Sequence, residues 1–199
     1  MTKIHILHSP NFTPNENGFL APLKRSESLL KKSGIELFFF SSIQDTFFDA
    51  DIIFLSSKFF SPWWRRFGFE QIKNVLLTAK ERANQVFWFD LADSTGTTHF
   101  KVLPYVDKYI KSQILKDKTQ YQQKYYGMRI TTDFYHHQFN IDDEAMDEPH
   151  LNIIPNTEEL NKIQVGWNSG LCYYGKWRHY IEPFTWRQQS MHKLLKPRF

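Results

Sequence analysis

Short apolar runs alternate with stretches of helical periodicity from the first residues to about residue 126. Lys3–His8 (KIHILH), Ile35–Phe40 (IELFFF), Asp51–Leu55 (DIIFL) and Gln85–Phe89 (QVFWF) are nearly unbroken β-branched and aromatic segments, as expected of strands buried on both faces. Phe19–Ser33 reads as a helix, with Pro22 in its first turn and Gly34 where a C-terminal cap belongs. A second helix is the clearest periodic element. Phe69, Ile72, Leu76, Ala79 and Ala83 recur at spacings of three and four, so they share one face. A fifth strand is predicted over Val106–Lys111, after Pro104, and a polar helix over Ser112–Tyr126.

This alternation predicts an α/β fold, a Rossmann-like doubly wound parallel sheet of about five or more strands spanning residues 1–130. Residues 131–199 read as an irregular, aromatic C-terminal extension packing on that domain. Within it, Asp142–His150 (DDEAMDEPH) is expected to be an exposed acidic loop. Asn156-Thr157-Glu158-Glu159 is expected to open a short helix, and Thr185–Lys196 to form another.

The 199 residues are 41% hydrophobic and 17% aromatic, enough for a sizeable core. The net charge of +4 is spread among acidic neighbours, as in Lys116-Asp117-Lys118, so a solvated mixed surface competes with binding of an anionic ligand. No aromatic RNA-binding signature or zinc-finger spacing is present, which argues against nucleic acid. Cys172 is the lone cysteine and cannot form an intramolecular disulfide. A strand starting at Lys3 and apolar runs far short of a bilayer's thickness favour a cytoplasmic chain, with contact at the inner membrane face left open.

In open parallel sheets, ligands bind beyond the carboxyl ends of the strands, which singles out three loops. The sharpest follows the fourth strand. Asp93, Ser94, Thr95, Gly96 and Thr97 combine a carboxylate with hydroxyls and a flexible glycine, suited to a polyhydroxylated ligand and to proton removal by Asp93, although the same residues make ordinary turns. The loop Ser9–Gly18 brings His8, a candidate base or phosphate contact, together with Asn11 and Gly18, but lacks the spacing of a dinucleotide site. The segment Ser56–Gly68 carries Trp63, Trp64, Arg65 and Arg66, a composition suited either to a membrane headgroup layer or partner, or to internal packing. No metal site is expected, since His136 and His137 are adjacent and point apart.

The opening KIHILH, SPNFTPNENG and IELFFFSS resembles the start of GT-B glycosyltransferases. DLADSTGTTHF, LPYVDKYIKSQ and YYGMRITTDFY look like the N-terminal, acceptor-side half of bacterial members that build surface polysaccharides. The resemblance implies transfer of a sugar from a nucleotide-sugar co-substrate, no other cofactor, and a sugar or glycan acceptor that is sometimes lipid-linked. It also implies a second Rossmann-like domain or subunit, for which too little chain follows residue 130. Two further readings stay open: a non-catalytic α/β binding or scaffolding module, and a small flavodoxin-like enzyme acting on a nucleotide.

Overall fold

Five apolar runs of the sequence become strands of one sheet in the computed structural model, which describes residues 1–11, 13–142 and 152–167. In chain order the elements are β1 (Thr2–Leu7), α1 (Pro14–Lys32), β2 (Ile35–Phe40), β3 (Ile52–Ser56), α2 (Ser57–Arg66), α3 (Phe69–Arg82), β4 (Gln85–Asp90), β5 (Lys108–Lys111), α4 (Ile130–Phe139), α5 (Thr157–Lys162) and β6 (Ile163–Val165). Three-ten turns occur at Asp45–Phe48, Phe100–Tyr105, Lys118–Gln122 and Tyr126–Met128. The sheet has six strands, all parallel, in the order β2-β1-β3-β4-β5-β6. From β1 the chain steps outward to β2 and then back past β1 to β3, so strand order reverses between β1 and β3.

Each strand alternates its side chains between two cores. Ile53, Leu55, Val86 and Trp88 join Phe60, Ile72, Leu76 and Ala79 on the face covered by α2 and α3. Phe54 and Phe89 face the other way, against Phe19, Leu20 and Leu23 of α1. Helices on both faces of a parallel sheet make the fold Rossmann-like and doubly wound. Leu76 is fully enclosed, as the periodicity of α3 requires.

Several boundaries differ from the sequence reading. Helix α1 starts at Pro14 rather than Phe19, because the Thr13 hydroxyl caps it by accepting the Glu16 amide hydrogen and Pro14 suits a first turn. Gly18 therefore lies inside the helix and not in a loop, and Pro22 sits mid-helix. Gly34 does follow α1 as expected, at φ +82°. The segment read as the loop Ser56–Gly68 is mostly helix α2, capped by the Ser56 hydroxyl, which accepts from the Lys58 amide. No α-helix forms over 112–126. That stretch lacks an apolar stripe and is pinned by Tyr121, whose hydroxyl donates to the Thr95 carbonyl and accepts from the Leu115 amide.

The fifth strand begins at Lys108, since the Asp107 carboxylate instead accepts from the Val86 amide at 2.7 Å. Helix α5 forms as expected, closed by reciprocal bonds between Asn156 and Glu159. It leads directly into β6, a sixth strand contributed from beyond residue 130. Apart from Asp142, the acidic loop Asp142–His150 lies outside the described residues, as do Thr185–Lys196 and Cys172. No helix among the described residues is long and apolar enough to cross a membrane.

Candidate functional site

Strand order reverses between β1 and β3, and open α/β sheets hold their ligands in the crevice beyond the carboxyl ends at such a point. Glu16 lies beneath that position. This side chain leaves the first turn of α1 pointing inward and is wholly buried. Its Oε1 accepts from the Ser9 amide at 2.9 Å, and its Oε2 accepts from the Ser56 hydroxyl at 2.9 Å. Burial raises its pKa to about 7, against the smaller opposing pull of the Ser9 amide, the Ser56 hydroxyl and the Lys58 charge. His8 directly follows β1 and is buried, with Nδ1 2.9 Å from the Ser9 carbonyl. Burial lowers the His8 pKa and Lys24 adds to the effect, while the Ser9 carbonyl opposes it. Asn11 is exposed, its amide donating to the Ser9 hydroxyl at 3.1 Å.

The loop after β4 is braced rather than free. Asp93 is exposed and accepts from the Asn15 side-chain amide, which also donates to the Leu91 carbonyl at 2.9 Å. These bonds tie the loop to the first turn of α1. Ser94 accepts the Gly96 amide hydrogen through its hydroxyl and the Thr97 amide hydrogen through its carbonyl, forming a compact turn. Gly96 packs against Arg129, and a side chain there would meet ordinary contact at 3.5 Å. Asp93, Ser94, Thr95, Gly96 and Thr97 are thus gathered at the carboxyl edge, next to Asn15 of the β1–α1 region, while Gly18 is withdrawn into α1.

A second polar group lies on the opposite face, at the tip of β4. Asp90 is fully buried and follows Val86 and Trp88 on the side facing α2 and α3. The Tyr109 hydroxyl donates to it, His99 Nδ1 approaches its Oδ1 at 3.2 Å, and Lys111 Nζ lies 3.6 Å from its Oδ2. The His99 contact is close but its ring nitrogen makes no well-aligned hydrogen bond. Burial is the largest single influence on Asp90 and works against its charge. His99, Lys111 and Tyr109 together outweigh it and hold the carboxyl below the ordinary range. Lys111 is also buried, and burial lowers its pKa despite Asp90; its ammonium donates to the Ala92 carbonyl at 2.7 Å.

His99 is the most exposed member of this group. One ring nitrogen faces the buried carboxylate, and its side chain remains 23% exposed. A buried carboxylate beside a partly exposed imidazole is a pairing that general bases use. The Tyr109 hydroxyl accepts from the His99 amide at 2.9 Å, fixing the backbone as well.

Neither Asp90, His99, Tyr109 and Lys111 nor the pair Glu16 and Ser56 stands out in the sequence as a site. The available signal was strand alternation: Val86, Trp88, Asp90 and Tyr109, Lys111 each place a polar group at an inward position. Trp63 and Trp64 pack inward from α2, Trp63 on Phe60 and Trp64 on Phe69 and His99, whereas Arg65 and Arg66 are exposed. Among the described residues no group of three or more His, Cys, Asp or Glu side chains is placed to share a metal ion. An open depression of about 350 Å³ among Met1, Thr2, Asp51 and Gln85 lies at the amino edge of the sheet, away from these groups and at the end where such sheets do not bind. No family model matches the chain, and no curated protein or solved structure matches it.

Proposed function

We propose that this domain binds the acceptor in a glycosyl transfer and takes up the proton of the attacking hydroxyl. The reading rests above all on the Asp90–His99 pair at the carboxyl edge, where the carboxylate is buried and the imidazole side chain is 23% exposed. In the reaction, the acceptor oxygen bonds to the anomeric carbon of a nucleotide sugar, the nucleoside diphosphate leaves with the bonding electrons, and Nε2 of His99 takes the hydroxyl proton. Asp90, held ionised, stabilises the imidazolium that results. The hydroxyl-bearing turn Ser94–Thr97 and Asp93 supply hydrogen bonds to a sugar, and His8 and Asn11 border the same edge. The donor requires a site of its own, in a second Rossmann-like domain or subunit, and the domain works at the cytoplasmic face of a membrane if its acceptor is lipid-linked.

The decisive experiment measures nucleoside diphosphate release from a panel of nucleotide sugars and glycan acceptors, alongside ligand-induced shifts in melting temperature. His99→Gln is expected to lower turnover about 10²- to 10⁴-fold while leaving glycan binding intact. If no sugar or nucleotide sugar raises the melting temperature and none is consumed, the glycosyl-transfer reading is wrong. The strand order favours one second reading, because flavodoxin-like domains share the run β2-β1-β3-β4-β5 and hold a phosphorylated ligand at the β1–β3 switch. A melting-temperature rise with free nucleotides but not with glycans would select it.

A further inference from the structure

Helix α2 is rooted in aromatic packing and ends in a basic tip. Trp63 meets Phe59, Phe60 and Phe67, and Trp64 stacks on Phe69 at 5.5 Å, so the last turn is held rigidly. From Ser57 to Gly68 the chain carries Lys58, Arg65 and Arg66 and no acidic residue. Arg65 and Arg66 are exposed, and neither pairs with a carboxylate among the described residues. Between them and α3 stands Phe67, 51% exposed, with the Arg66 guanidinium 5.2 Å from its ring centre. Gly68 completes the turn at φ +71°, and a side chain there would meet nothing within 4 Å. Nothing among the described residues covers that side of the turn.

We propose that the Arg65–Arg66–Phe67 tip docks on an anionic phospholipid surface. An exposed apolar ring beside guanidinium groups that form no ion pair among the described residues matches a boundary in which phosphates lie just above hydrocarbon. The arginines bind the phosphates, and the phenylalanine enters the headgroup–acyl boundary. The two tryptophans, whose composition suits either a membrane headgroup layer or internal packing, serve as the root and stay in the fold. Because Trp64 also contacts His99, docking brings the tip of β4 close to the bilayer. The inference does not depend on the glycosyl-transfer reading.

Co-sedimentation with vesicles of neutral lipid, and of neutral lipid containing anionic phospholipid, tests it at low and high salt. The chain is expected to bind only the anionic vesicles, and more weakly as salt rises. Arg65→Gln/Arg66→Gln should weaken binding roughly thirtyfold, from about 1 kcal/mol per basic residue near the surface. Phe67→Ser should weaken it several-fold, and neither variant should change the melting temperature. The exposed pair Lys32→Gln/Lys124→Gln serves as a control and should bind like the parent. Docking is overturned if the chain ignores anionic vesicles or if the control loses as much as the arginine pair. If only Phe67→Ser is without effect, the arginines hold the surface by charge alone, which overturns entry of the phenylalanine into the headgroup–acyl boundary.

Discussion

Two fully buried carboxyl groups stand one strand apart at the same edge of the sheet, and the fold treats them in opposite ways. Glu16 bonds to neutral donors, an amide and a hydroxyl, which do not offset its loss of water, so its proton is held up to about 7. Asp90 loses its water just as completely but is given a lysine, an imidazole and a phenol, and it stays ionised. Burial alone thus does not set the charge of a buried acid. The partners' charge decides it.

The comparison can be broken most forcefully at Asp90. Asp90→Ala leaves Lys111, only 1% exposed, as an uncompensated buried cation, and should cost about 3–5 kcal/mol in denaturant unfolding. Adding Lys111→Met should recover much of that loss, which a cavity effect would not allow.

The pH dependence of stability sharpens the contrast. An unfolded Glu16 releases its proton near 4.5 and the folded one near 7. Its contribution is therefore complete below about 4.5 and lost as pH rises through 7, a fall of about 3 kcal/mol. Glu16→Gln should abolish that fall in unfolding free energies measured from pH 4.5 to 8. Asp90 works in the other direction: its depressed value stabilises the fold above the ordinary carboxylate range, and this is lost as pH drops through the folded value. The smallest expected effect is at Ser56. Ser56→Ala removes one donor to Glu16, costs about 1 kcal/mol, and moves the Glu16 transition to higher pH; an unmoved transition would show that this hydroxyl does not tune the carboxyl.

How legible the molecule was depends on whether a residue's role is local. The first five strands and the apolar face of α3 are written in side-chain periodicity, and a parallel sheet follows from them, whereas the three-residue β6 is too short to show a period. Helix α2 is not, because Pro62 and the crowd of aromatics mask its periodicity, and only the Ser56 cap and the burial of Phe60 reveal it. Asp93 and the hydroxyls beside it are conspicuous in composition. Asp90 reads as the end of a strand until Tyr109 and Lys111, about 20 residues away in sequence but on the adjacent β5, are brought alongside. Glu16 was hidden for the same reason, since its meaning depends on Ser56, 40 positions further on.

Ser56 closes β3 and caps α2 at once, so strand and helix meet with no connecting residue between them. Most strand–helix junctions contain slack that absorbs changes in length over evolutionary time. Here an added residue would rotate α2 by about 100°, turning Phe60 out of the core and Lys58 away from the crevice. The junction therefore acts as a fixed point of the architecture, from which the positions of the flanking loops, free to lengthen, are measured.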